Sequence, residues 1–287
     1  SGLDKMLVSN FTNFTTDGTV VQVPADFAIT ALHDMGSTVD FVSDSLVFTS
    51  GSGETVSFID ADNALYAGTS SPGLLQSFSI SDDEWTTLVD YGSDTIVDFI
   101  VKYNNKFVVG VGVTGSGAAQ IYVYNDNTFT DPTTFAVNGS RAFTAVELDT
   151  FLYIGTGPNG ALYKFDGRNL DLFLSGIGSN VYDLASVSGN LYAATGEKGH
   201  VYIIDPVEPS APIVHSDSDS AITAINIFNF SGNKIFIGTA TEGKILRSEL
   251  TNIAFNRSFK TVSGKVSSIK IFNNVLYAAV GKTVYFF

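Results

Sequence analysis

Apolar and polar positions alternate in short bursts along this chain, and one burst returns again and again. Its copies are Leu65-Tyr-Ala-Gly-Thr69, Phe107-Val-Val-Gly-Val111, Leu152-Tyr-Ile-Gly-Thr156, Leu191-Tyr-Ala-Ala-Thr195, Ile235-Phe-Ile-Gly-Thr239 and Leu276-Tyr-Ala-Ala-Val280, with a weaker one at Phe27-Ala-Ile-Thr-Ala31. Successive copies are 38 to 45 residues apart, the period of propeller blades. β-Branched and aromatic residues fill the bursts, and Gly, Asn and Asp punctuate them every eight to twelve positions, which predicts an antiparallel meander and excludes helical repeats.

Each unit reads as four strands. In the fourth unit these are 142–148, 151–156, 161–166 and 170–175, joined by Gly157-Pro-Asn-Gly160 and Asp166-Gly167, turns whose glycines supply positive φ. The expectation is an all-β, seven-bladed β-propeller of four-stranded antiparallel blades, a single domain over residues 1–287. The blades fall at 19–50, 54–90, 95–137, 141–175, 180–215, 221–260 and 265–287, and residues 6–14 close the ring as the outer strand of the seventh. Second turns and blade crossings share one face. Closure limits the exposed strand edges that invite aggregation.

Composition narrows the class. Only 15% of residues are charged, against about 25% in ordinary globular chains, so a large apolar core is expected. The net charge of −14 would repel a phosphate backbone, which argues against nucleic acid as a partner. With no cysteine, disulfides and thiolate metal sites are excluded, while the compartment is left open. No apolar run approaches a spanning helix. The charge is also uneven: residues 1–230 hold seven Lys and Arg against 27 Asp and Glu, and residues 231–287 hold eight against two. Lys234, Lys244, Arg247, Arg257, Lys260, Lys265, Lys270 and Lys282 make up that basic sector. It reads either as a docking surface for an acidic protein partner or for self-assembly, or as edge protection of an outer strand.

The stretch Leu152-Tyr-Ile-Gly-Thr-Gly-Pro-Asn-Gly-Ala-Leu-Tyr163 resembles the bacterial propeller repeats of the two-component-regulator and quinoprotein types, and the likeness extends over nearly the whole chain. The resemblance implies fold only. Those repeats usually carry a tryptophan per blade and this chain has Trp85 alone, so quinone binding is not carried over and no cofactor is expected. In composition the chain is similar to phage virion and bacterial surface proteins, which implies an extracellular, cell-surface or virion location.

Candidate chemistry is sparse. Gly155-Thr-Gly-Pro-Asn-Gly160 and Gly110-Val-Gly-Val-Thr-Gly115 fit G-x-G-x-x-G, but a strand follows each where a dinucleotide site needs a helix. Small polar residues recur eight or nine positions before the repeats, at Thr19, Ser57, Asp98, Thr144, Asp183 and Ser268, with Thr223 at the same point of a longer unit. They would ring the axis, either bonding blade to blade or holding a ligand, with Asp98 and Asp183 the strongest candidates. His200 and His215 should be neighbours in unit five, and with Asp217 and Asp219 they could form a hard-metal or acid–base site. A glycan would need stacked aromatics, for which Trp85 is the candidate. The leading expectation is a non-enzymatic binding or assembly scaffold acting through protein or surface contacts. A carbohydrate-binding or carbohydrate-cleaving propeller and a metal-dependent lyase or hydrolase are the alternatives.

Overall fold

The computed structural model describes residues 21–22, 55–61, 64–79, 84–125, 128–196, 199–207, 209–216, 221–228, 234–241, 243–250, 253, 255, 258–272, 275–280 and 283–286. Among them lie six four-stranded antiparallel sheets. Sheet I holds β2 (Thr55–Ala61), β3 (Ala64–Thr69), β4 (Leu74–Ser79) and β5 (Glu84–Asp90); sheet II holds β6 (Thr95–Tyr103), β7 (Lys106–Val113), β8 (Gln120–Tyr124) and β9 (Thr133–Ala136). Sheet III holds β10 (Arg141–Leu148), β11 (Phe151–Gly157), β12 (Leu162–Phe165) and β13 (Leu170–Leu174). Sheet IV holds β14 (Val181–Val187), β15 (Asn190–Thr195), β16 (His200–Ile204) and β17 (Ile213–Ser216). Sheet V holds β18 (Ile222–Phe228), β19 (Lys234–Thr239), β20 (Lys244–Glu249) and β21 (Ser258–Thr261). Sheet VI holds β22 (Val266–Phe272), β23 (Val275–Val280), β24 (Thr283–Phe286) and β1 (Val21–Gln22).

The strand added to β24 is β1, through Val21 opposite Val284 and Gln22 opposite Thr283. The sequence pattern put residues 6–14 in that place and 19–23 at the start of the first unit. Both segments alternate like strands, so alternation alone could not choose between them. Residues 6–14 and nearly all of 19–50 lie outside the described residues.

Among the described residues the apolar material lies between sheets and not in one common core. Five clusters fill the five interfaces from I–II to V–VI. The repeated burst explains this. Its first and third residues face one neighbour and its second faces the other: Leu152 and Ile154 join the II–III cluster, Tyr153 the III–IV cluster. Second strands are therefore covered on both sides, which is why they read as unbroken apolar runs.

The glycine of the burst is a spacing requirement. A Cβ on Gly68 would lie 2.4 Å from Val97 Cγ1, on Gly155 2.6 Å from Val181 Cγ1, and on Gly238 2.4 Å from Val266 Cγ1. Each of those valines is fully buried on the first strand of the next sheet. The threonine closing the burst clamps the following turn. Thr69 Oγ1 donates to Pro72 O (2.7 Å) and accepts from Leu74 N (2.9 Å); Thr156 donates to Ala161 O (3.2 Å), Thr195 to His200 O (3.1 Å), and Thr239 accepts from Lys244 N (2.9 Å). All four are fully buried, so each hydroxyl satisfies turn groups that water cannot reach.

Candidate functional site

First strands share a defect. Between its first and second strands every described sheet skips one residue of the ladder: 56, 98, 143, 182, 223 and 267. A bulge frees that residue from the pleat and re-aims it. The side chains so released include Asp98, Phe143, Tyr182 and Thr223. Two positions earlier stand Arg141, Asn180 and Lys265, where crossings from the preceding sheets enter β10, β14 and β22.

These residues meet. Asp98 of sheet II accepts Arg141 Nε of sheet III (2.9 and 3.0 Å), Arg141 Nη2, and the Ala142 N–H (3.1 Å). Its side chain is 2% exposed against 28% for Arg141. Burial pushes the Asp98 carboxyl above its ordinary value, while the guanidinium and the Ala142 N–H pull it down. The Arg141 guanidinium lies 4.8 Å over the Phe143 ring, Phe143 meets Tyr182 edge-on at 5.0 Å, and Asn180 Nδ2 donates to the Tyr182 hydroxyl (3.1 Å). Lys265 Nζ, two sheets further round, stands 6.0 Å from the Tyr182 ring. Contacts between sheets that are not neighbours require the first strands to converge on a common axis.

A second layer lies along the same strands. Asp183 Oδ1 accepts Thr144 Oγ1 (3.4 Å) and Leu184 N (2.9 Å), and Oδ2 accepts Ile225 N (2.9 Å). Burial raises its pKa, opposed by these bonds and by the charge of Lys270. Thr144, Asp183, Ile225 and Lys270 come from sheets III, IV, V and VI in turn. Ser57 Oγ donates to Val97 O (3.0 Å) and Thr223 Oγ1 to Val266 O (2.6 Å). Ser57, Asp98, Thr144, Asp183 and Thr223 of the polar series thus link sheet to sheet, with Asp98 and Asp183 carrying most of those links; Thr19 lies outside the described residues.

The histidine pair needs correcting. His200 is registered opposite Ser216, and Val201 opposite His215. Paired residues share a face and adjacent ones do not, so the two imidazoles sit on opposite faces of sheet IV. His200 Nδ1 is 3.0 Å from the Tyr202 hydroxyl and His215 packs edge-on against Phe255 of the next sheet (4.8 Å). They do not form one ligand set; Asp217 and Asp219 lie outside the described residues. Trp85 lies on the outer strand β5, its ring 5.2 Å from Phe78.

The basic sector is dispersed. Lys234 pairs with Glu249 (2.5 Å) and Lys244 opens β20. Arg247 stacks 5.5 Å over Phe259, which is followed by exposed Lys260 on outer strand β21. Lys265 and Lys270 turn to the axis, and Arg257 and Lys282 fall outside the described residues. The sequence reading missed Arg141, Phe143, Asn180 and Tyr182. The available signal was register: Phe143 and Tyr182 each precede a residue of the polar series, and a bulge there exposes them to the axis.

No family model matches the chain, and no curated protein matches it in sequence. Solved structures match in fold. The extracellular domain of a one-component system, BT4673 from B. thetaiotaomicron, gives a TM-score of 0.65 at 13% identity over 97% of this chain and 39% of that one. The Dos1 propeller gives 0.61 at 13% over 81% and 66%. The computationally designed Ika8 protein gives 0.55 at 14% over 97% and 96%. At such identities the likeness shows a β-propeller fold and nothing of activity.

Proposed function

We propose that the chain is a seven-bladed closed ring serving as a non-enzymatic binding and assembly scaffold of a particle or surface outside the cell, acting through protein contacts. The observation that carries this reading is the chain of inter-sheet bonds along the first strands: Ser57 to Val97, Asp98 to Arg141, Thr144 to Asp183 to Ile225, and Thr223 to Val266. The polar groups nearest the axis lock sheets together and leave the rim to do the contacting. A frame held this way presents its surface at little conformational cost, and preorganisation of that kind favours association. The rim patch that best fits a partner is the outer strand of sheet V, with all four residues of β21 exposed and Arg247 stacked on Phe259. An acidic protein edge with an apolar residue at its centre matches it.

Light scattering after size exclusion, at low and then high salt, tests this reading. Assembly that dissolves as salt rises, and that is lost in Phe259→Asp, supports contact through the basic rim, because screening weakens exposed charge pairs. A 30.6 kDa monomer at every salt concentration removes self-assembly.

A further inference from the structure

The residue after the burst is Gly112 in sheet II, Gly157 in sheet III, Gly196 in sheet IV and Gly281 in sheet VI, the last outside the described residues, but Ser70 in sheet I and Ala240 in sheet V. A Cβ on Gly112 would lie 2.5 Å from Asp98 Oδ2 and 2.7 Å from Arg141 Cδ; on Gly157, 2.0 Å from Asn180 Oδ1 and 2.8 Å from Phe143 Cε2; on Gly196, 2.9 Å from Tyr182 Cε2 and 3.2 Å from Ser179 Oγ. None of the three has positive φ. Backbone conformation therefore does not call for glycine at these points. What calls for it is room: glycine stands where a bulky residue of the axial opening must be seated.

The residues seated there form a coherent set. Two rings, Phe143 and Tyr182, meet edge to face, and two cations from sheets III and VI, Arg141 and Lys265, stand over them. Asp98 answers Arg141. Among the described residues no carboxylate is bonded to Lys265, in a chain of net charge −14. The two cations bracket one ring pair, Arg141 4.8 Å from Phe143 and Lys265 6.0 Å from Tyr182, and Lys265 is held below the ordinary lysine value by burial and then by the Arg141 charge. Ser179 Oγ, which with Tyr182 borders the Gly196 seat, is buried with no hydrogen-bond partner among the described residues. Two cations, one of them paired with Asp98, thus flank an aromatic pair with the Ser179 hydroxyl at its edge.

We propose that this axial opening binds a carboxylated sugar, a uronic acid residue at the end of a glycan, with its carboxylate between Arg141 and Lys265 and its apolar ring face on Tyr182. The rings favour a sugar over a bare carboxylate, since pyranose faces stack on aromatics while a side-chain carboxylate has no such face. The proposal goes beyond the scaffold reading and does not rest on it, because the rim patch and the axial opening share no residue.

Calorimetric titration of the whole chain with galacturonate at low salt tests it, with galactose and N-acetylglutamate amide as competitors. Binding of galacturonate, with both competitors at least ~10-fold weaker, is expected. Lys265→Gln should weaken it ~10-fold or more, as loss of a charged hydrogen bond does. Gly196→Ala should weaken it comparably by displacing Tyr182 with no change of charge, and Lys260→Gln on the outer strand should leave it alone. Thermal melts confirm that each variant is folded. No binding of galacturonate, equal binding of galactose or of the glutamate amide, or equal loss in Lys260→Gln would each overturn the proposal. Failure of the light-scattering test has no bearing on these outcomes, and the converse holds.

Discussion

Adding one methyl group at Gly238 is the most direct test of how the sheets are spaced. The new Cβ would stand 2.4 Å from Val266 Cγ1, 2.7 Å from Val266 Cβ and 3.3 Å from Ile269 Cδ1. Carbon atoms rest at roughly 3.5–4.0 Å, so β22 must retreat by about 1 Å or Val266 must leave its rotamer. Val266 and Ile269 are 0% and 2% exposed and belong to the cluster between sheets V and VI, which leaves neither room to move. Overpacking a filled core costs about 1–3 kcal/mol. For a chain of this size that corresponds to a fall in Tm of very roughly 2–10 °C. Urea melts of Gly238→Ala, Val266→Ala and the double variant form a cycle. Val266→Ala alone leaves a gap and also destabilises, yet in the double variant the new methyl occupies space vacated by the old ones. The double variant should accordingly be more stable than the two single losses predict by ~1 kcal/mol or more. Strict additivity, or Gly238→Ala within ~0.5 kcal/mol of the parent, would refute the spacing argument.

Thr69→Val keeps the shape of the side chain but leaves Pro72 O and the Leu74 N–H without the hydroxyl; denaturant melts should show a loss of about 1–3 kcal/mol, and an unchanged midpoint would remove the clamp. Asp183 has a raised folded pKa, so the folded state binds its proton more tightly than the unfolded chain does. Its contribution is complete below the unfolded value near 4 and fades as pH rises through the folded value. Urea midpoints of parent and Asp183→Asn should therefore diverge in the variant's favour as pH rises from about 4, and parallel pH profiles would contradict the assignment.

Much of the frame could be read from the residues because its rules are local. The burst Leu-Tyr-Ile-Gly-Thr encodes a strand covered on both faces, a close approach and a clamped turn within five positions, and repetition makes that signal strong. The polar series was visible for the same reason, with Ser57, Asp98, Thr144 and Asp183 eight or nine positions before the burst and Thr223 at the same point of a longer unit. Placement of Val21–Gln22 on β24 was not legible, since two neighbouring segments carry equivalent alternation and the choice is made by pairing far along the chain. The His200 and His215 expectation failed through register. Nearness in one hairpin says nothing of face, and a shift of one position puts a side chain on the other side of the sheet. Arg141, Asn180 and Lys265 come from three units far apart in sequence, and only the convergence of first strands from sheets III, IV and VI makes them a group. Their glycines were legible one by one as turn residues, not as seats for side chains in a neighbouring strand.

The skipped residue in each first strand has a consequence for how such a molecule can change. Positions 98, 143, 182 and 223 hold an acid, two aromatics and an alcohol, while the residues on either side keep their ladder partners in every sheet. At 143 and 182, whose side chains make contacts between rings and not the hydrogen bonds that link the sheets, a substitution changes the chemistry along the first strands without asking them to re-register. At 98 and 223 the same change also removes a bond between sheets. Variation is thereby uncoupled from folding only in the repeats whose released side chain the frame does not use.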